Sequence, residues 1–300
     1  MKKLSRDKRR LWNIQQHQIG GKMNIGILGS KGRLGSCLVA RGHTALDFDV
    51  TQDTRIDEGR LNNFDVVINC AAKTKVDACQ HGQVPNEYYK EAVKVNTRAL
   101  EYIRSNFGGR LIHLSTDYVF KCNKGPYSES DKRDPVNDYG YTKYGGELIL
   151  ETHPLKLETV VVRTTGLFGS QTDFSYFVFD TLRKGQVVVA SHELFCNQTY
   201  VPHLAQALEF IADMPLKEHF SYLHVASSDV VSRYDFAIML ANVFKLPTDS
   251  IFPRKNKDIG NWVAPRPTKG GMKVKLAQKL GVPIYSTLEG LKEYRKEMTK

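Results

Sequence analysis

The feature that most restricts what this chain can fold into is its rhythm. From Met23 onward, short apolar runs that stop at glycine alternate with stretches of helical periodicity. Strands alternating with helices of that length bury both faces only as βαβ units of a parallel sheet. "NIGILG" is the first run, and "RLGSCLVARG" the helix after it, with Gly42 past its end. "TALDFDV" and "DVVINCAA" read as buried strands, and "VPNEYYKEAVKVNTRALEYIRSNFGG" as one long amphipathic helix. The strand "RLIHLSTDYVF", the helix "YGYTKYGGELILET" and the strand "LETVVVRTTGLFG" follow. The expected fold class is α/β: a doubly wound parallel sheet of the Rossmann kind with a smaller C-terminal lobe.

Directly after the first strand comes "GSKGRLG", with Gly29, Gly32 and Gly35 spaced G-x-x-G-x-x-G. The first glycine permits the tight turn and the second lets a pyrophosphate approach the backbone. The third lets the next helix pack close, its free N–H groups facing the anion. Lys31 and Arg33 add positive charge, and Leu34 completes the loop. No G-K-[ST] follows, which excludes a Walker loop. A dinucleotide site also needs an acidic residue about 20 positions on for the adenosine ribose. Asp47 and Asp49 both qualify, with Val50 beside the latter, so the choice between NADP and NAD stays open.

Past Gly169 the rhythm loosens. Helical stretches at "FSYFVFDTLRKG", "PHLAQALEFIAD" and "RYDFAIMLANVF" and a strand at "QVVVA" precede a Pro- and Lys-rich segment and a last basic helical region. The expected organisation has three parts. Residues 1–22 form a basic, disordered extension, and residues 23–168 the dinucleotide-binding domain, with a segment near 200–227 returning to it. Residues 169–300 form mainly a substrate-binding lobe.

Charge and cysteine content exclude several function classes. Residues 1–22 carry a net +6 of the chain's +11, leaving only +5 for the remainder. That balance suits an anionic small substrate and does not call for nucleic acid. Met23 opens directly into a strand, so the basic segment also reads as a start assigned too early. No apolar run reaches the roughly 18 residues of a membrane span, and the basic start lacks an apolar h-region. Five scattered cysteines without a C-x-x-C argue for a reducing compartment, the cytoplasm. The nine histidines show no H-E-x-x-H and no clustering with cysteine, so no metal site is expected.

"NDYGYTKYGG" contains the chain's one Tyr-x-x-x-Lys, Tyr139 and Lys143. Chance supplies about one such pair in a chain this rich in tyrosine and lysine, so its surroundings must decide. On a helix the two share a face. An ammonium near a phenol favours phenolate and brings proton transfer to a carbonyl oxygen within reach of neutral pH. Upstream, "LIHLSTDYVF" ends in Ser115, Thr116 and Asp117, which places hydroxyls at the carboxyl end of a parallel strand, where such sheets bind ligands.

Glycine loop, strand-end hydroxyl and Tyr-x-x-x-Lys in this order resemble the short-chain dehydrogenase/reductase plan. "VVINCAAKTKVD", "VNT", "LSTDYVF", "YGYTKYGGE", "VVRTTGLFG" and "APRPTKGGMKVKLAQKLG" narrow it. Together they resemble the dTDP-4-dehydrorhamnose reductase family of the extended branch, from Met23 to about Tyr294. The resemblance implies NAD(P)H-dependent reduction of the keto group of a nucleotide-linked 4-keto-6-deoxysugar, in a protein for which a homodimer is compatible. Carried over, Tyr139 is the general acid, Lys143 binds the nicotinamide ribose and lowers the phenol's pKa, and Thr116 hydrogen-bonds the substrate carbonyl. Asp117, Tyr118 and Arg266 contact the sugar nucleotide, the glycines hold the pyrophosphate, and Ala71, Ala72 and Thr74 line the cofactor.

Three departures fall on substrate selection. Gly166 stands where the reductases place a tryptophan over the sugar, "HELFCNQTYV" only partly matches the family's "DQ.G.PT", and "VDACQ" replaces "VDKAE". Two other readings share the fold: an epimerase or dehydratase that recycles bound NAD, and a non-catalytic regulatory subunit like that of methionine adenosyltransferase.

Overall fold

The computed structural model describes residues 23–47, 60–82, 84–152, 158–216, 218–260 and 262–299. The basic segment 1–22 and the residues Asp49 and Val50 lie outside the described residues. One six-stranded sheet organises the chain: β1 (Ile25–Leu28), β2 (Thr44–Leu46), β3 (Val66–Asn69), β4 (Arg110–Thr116), β5 (Glu158–Thr164) and β6 (Phe220–His224). Its spatial order is β2-β1-β3-β4-β5-β6, and every neighbouring pair is parallel. The order reverses between β1 and β3, and an open α/β sheet binds its ligand outside the strand ends at such a switch point.

Strand alternation divides the core into two layers. Ile25, Ile27, Ile68, Ile112, Leu114, Val160 and Val162 face the helices Arg33–Ala40 and Val201–Asp213, where Leu34, Leu38, Leu204 and Leu208 meet them. Leu28, Val67, Leu111 and Val161 point the other way, onto Leu100, Ile103 and Leu150. The helix Val201–Asp213 and β6 therefore belong to the sheet, although they come after residue 169 in the chain.

A third cluster stands apart, around Phe168, Val178, Leu182, Tyr200, Phe236, Leu240, Leu291 and Tyr294. It is built by the helices Phe174–Arg183, Arg233–Phe244 and Thr287–Met298, with the parallel pair Val188–Ser191 and Ile251–Arg254.

The long helix expected over residues 84–109 is interrupted. It runs Glu87–Val93, widens into a π turn over Lys94–Arg98 and resumes as Ala99–Asn106. The cause is Asn96, fully buried. Its side chain accepts from Lys73 N–H at 2.9 Å and donates to Lys73 C=O at 3.0 Å and Thr142 Oγ1 at 2.9 Å. A side chain so committed to a neighbouring loop draws its backbone out of α register, as π turns at functional sites commonly show.

Candidate active site

The glycine turn sits at the switch point and is closed by contact with the end of β3. Gly29 has φ +73°, and a Cβ there would lie 2.5 Å from Ala71 N. A Cβ on Gly35 would lie 2.2 Å from Gly29 O. Both positions exclude any side chain. Gly32 differs: its Cβ would meet only Gly29 O, at 3.2 Å, so this part of the turn is open. The helix Arg33–Ala40 starts there without a side-chain cap. Its first-turn N–H groups have no carbonyl one turn earlier to bond. An uncapped helix start behind an open glycine is a fit for a dinucleotide pyrophosphate.

Other loop residues divide by role. Leu34 is buried in the core, so its backbone is what it can offer a ligand. Lys31 lies 3.9 Å from Asp47, which also accepts from Ser30 Oγ at 2.9 Å. Sequence reasoning missed Ser30, whose hydroxyl holds Asp47 beside the glycine turn. Arg33 reaches the third cluster, donating to Leu167 C=O at 3.1 Å and lying 3.8 Å from Asp173. Ala71 and Ala72 are half-buried at the end of β3, and Thr74 is exposed beyond them.

Two glycines let the helix Asp138–Glu151 approach the turn after β4 and the π turn at Asn96. A Cβ on Gly140 would be 2.4 Å from Tyr118 O, and one on Gly146 would be 2.3 Å from Asn96 O. Asn137 caps its start, accepting from Gly140 N–H at 2.9 Å, and donates to Pro265 C=O at 2.9 Å. One side chain thus fixes both the helix and the C-terminal loop above it.

Tyr139 and Lys143 face inward from this helix, 8% and 1% exposed. The Tyr139 ring packs edge-on against Tyr118, centroids 5.5 Å apart. Burial, then Tyr118 and Asp117, push its phenol well above the ordinary value, while a hydrogen bond with the Thr116 side chain acts in the other direction. Lys143 Nζ donates to Leu114 C=O at 2.7 Å and lies 3.4 Å from His113 Nε2. Burial pushes this amine down to about 8, against the opposing pull of Glu147 and Cys70. The expected lowering of the phenol by the lysine is not what the protein itself provides. Nζ is turned to the β4 backbone, and desolvation dominates the phenol.

Asp117 is 3% exposed, and burial raises its carboxyl to about 6, although hydrogen bonds from Thr165, Thr116 and the Gly271 N–H favour the ionised form. Arg266 is held by Asp77, which also accepts from Val263 N–H at 3.1 Å and Ala264 N–H at 3.0 Å. Its guanidinium lies over Trp262 at 5.4 Å, and its charge is felt at Tyr118. Thr116, Asp117, Tyr118 and Tyr139 therefore converge, with Arg266 at their margin and Lys143 one turn along the helix, its amine on the β4 backbone. The glycine turn joins them through the end of β3, where Ala71 meets Gly29 and Cys70 senses Lys143.

The departure at Gly166 has a steric cause. Its φ is +57°, and a Cβ would lie 2.4 Å from Asn197 O. Backbone from the 196–198 loop occupies the place where a large side chain would project, held by Thr199 N–H donating to Gly166 C=O at 2.9 Å. Among the described residues, no group of His, Cys, Asp and Glu could hold a metal ion, and no helix is long and apolar enough to cross a membrane.

A glycine turn at the reversal of a parallel sheet, joined by one strand end to a buried Tyr–Lys helix, defines a class: nicotinamide-dependent oxidoreductases of the short-chain dehydrogenase/reductase type. More narrowly, the chain belongs to the RmlD substrate binding domain family, whose profile matches residues 23–300. It is similar to dTDP-4-dehydrorhamnose reductase of Mycobacterium tuberculosis, 32% identical over 238 residues, 72% of this chain and 73% of that protein. Methionine adenosyltransferase 2 subunit beta of Danio rerio is 26% identical over 233 residues, 74% of this chain and 68% of that one. The crystal structure of dTDP-4-dehydrorhamnose reductase from Bacillus anthracis in complex with NADP superimposes with a TM-score of 0.80 at 23% identity, over 92% of this chain and 99% of that one.

Proposed function

We propose that the protein reduces the keto group of a nucleotide-linked 4-keto-6-deoxysugar, dTDP-4-dehydrorhamnose in the first instance, with NADPH or NADH as reductant. The observation that carries this reading is the placement of the Tyr139 phenol against the Thr116 hydroxyl at the carboxyl end of β4, with Lys143 one turn behind. Bound reduced nicotinamide supplies the hydride. Tyr139, kept protonated by its burial, gives its Oη proton to the carbonyl oxygen as the C–H bond forms. Thr116 hydrogen-bonds that same oxygen. Lys143 holds the cofactor ribose, the glycine turn with Lys31 and Arg33 the pyrophosphate, and Ala71, Ala72 and Thr74 the remaining wall. Asp47, held by Ser30, is the acidic residue for the adenosine ribose among the described residues. Asp117, Tyr118 and Arg266 engage the sugar nucleotide.

The sheet layer, residues 23–168 with the return near 200–227, is assigned to the dinucleotide. Residues 169–300 are assigned mainly to the substrate, which the separate core around Phe168 and Phe236 supports. The five unpaired cysteines support a cytoplasmic location. A regulatory subunit would have no use for a proton donor buried beside a strand-end hydroxyl, and this favours the enzyme. Mixing the protein with NADPH or NADH and dTDP-4-dehydrorhamnose should consume the reduced cofactor's absorbance. A flat trace with every nucleotide-linked keto sugar tried rejects the reading. Conversion of the sugar without net cofactor oxidation points to the epimerase alternative.

A further inference from the structure

Behind Lys143 lies a pair of buried polar side chains that the proposed reaction does not use. Asn69 ends β3 and His113 lies in β4, and the sheet register makes them direct partners. Each is 1% exposed. Asn69 Oδ1 accepts from the Ala71 N–H at 3.0 Å. A backbone N–H can only donate, so this bond fixes the amide and leaves Nδ2 as the group 3.2 Å from His113 Nδ1. Since Nδ2 also only donates, Nδ1 must be the imidazole's acceptor. Burial, and then the charge of Lys143, hold His113 well below its ordinary pKa, so the ring is neutral. A neutral ring whose Nδ1 accepts carries its proton on Nε2, and Nε2 faces the Lys143 amine at 3.4 Å.

We propose that Asn69 and His113 are positioning residues for Lys143: the amide locks the imidazole as its Nε2–H tautomer, and that N–H is aimed at Nζ. A neutral amine can accept this hydrogen bond with its lone pair while donating to Leu114 C=O. An ammonium cannot, because donor would face donor. The pair therefore favours the amine, as burial does. The other titratable groups bearing on Nζ are Cys70 at the end of β3, a thiol that burial keeps protonated, and Glu147 on the lysine's own helix. Glu147 favours the ammonium, but its carboxylate is shared with Arg163, Ser115 and Arg133. The geometry stands by itself; its consequence for turnover rests on the reductase reading.

Two measurements on the whole protein test this. In protein labelled with 15N-histidine, with His113→Gln assigning the signal, the ring nitrogens should report a neutral Nε2–H tautomer from pH 6 to 9. A proton on Nδ1, or an imidazolium in that range, overturns the proposal. In protein labelled with 13C-lysine, with Lys143→Met assigning the signal, Lys143 should titrate well below an ordinary lysine. In His113→Gln, whose amide oxygen can accept from Nζ, it should titrate higher by about one pH unit. An unchanged titration overturns the proposal. Neither readout needs turnover. An inactive protein with both signatures would defeat the reductase reading and leave this inference standing.

Discussion

Arg163 grips both oxygens of Glu147, at 2.9 Å through Nε and 2.8 Å through Nη2, two turns along the helix from Tyr139 and one from Lys143. The pair is 1% and 0% exposed. Ser115, the residue directly opposite Arg163 across the β4–β5 register, donates to Glu147 at 2.6 Å, and Arg133 adds a contact at 3.3 Å. The catalytic helix is thus anchored to two strands by a carboxylate on the face that carries Tyr139 and Lys143.

That anchoring predicts an asymmetric response to substitution. Arg163→Met strands a buried carboxylate and should cost about 3–5 kcal/mol, whereas Glu147→Gln with Arg163→Met should recover part of that loss. Arg163→Lys should not restore stability, since an ammonium cannot make the two-point grip. Urea unfolding of the wild type and the three variants measures this, and a double variant no more stable than Arg163→Met would contradict it.

Tyr139→Phe removes the proton donor while keeping the ring that packs on Tyr118. Turnover should fall by about 10²–10⁴-fold, the usual worth of a positioned general acid. NADPH affinity, measured by fluorescence titration, should change by less than about twofold, because the phenol contributes little to binding the reductant.

For Lys143 the direction follows from its charge. Burial lowers the amine to about 8, so it is ammonium below that pH and neutral above it. If the charged form holds the ribose, kcat/KM should be level from pH 6.5 to about 7.5 and fall roughly tenfold per pH unit beyond about 8. Tyr139, shifted upward, keeps its proton throughout that range. The alkaline limb should vanish from the residual activity of Lys143→Met.

Asp117 should oppose folding stability at neutral pH. Its folded-state pKa of about 6 lies above the unfolded value, so the folded protein binds this proton more tightly than the unfolded chain. The stabilising contribution of the proton is present at low pH and is lost as pH rises through about 6. The resulting penalty approaches about 3 kcal/mol above pH 7. Asp117→Asn should therefore flatten the dependence of stability on pH between about 4 and 7, read from urea midpoints across that range.

Some of this was legible in local spacing. Gly29 and Gly35 announce a turn because only glycine tolerates the backbone contacts made there, and Tyr139 and Lys143 share a face because helical periodicity requires it. The expected helix over residues 84–109 is broken by the π turn Lys94–Arg98, which holds Asn96. Asn96 bonds Lys73 and Thr142, and no pattern within its own helix reports on those partners.

By itself, the sequence determined what depends on neighbours along the chain: the alternation that forces a parallel sheet, the glycine turn at its first strand, and the family to which the motifs point. Only the tertiary structure decided what those side chains experience. Asn69 and His113 lie 44 positions apart and meet through strand register, and Glu147 finds its charge partners on other elements. Ionisation and tautomer respond to burial and to groups brought together from distant parts of the chain, and neither is written in local spacing.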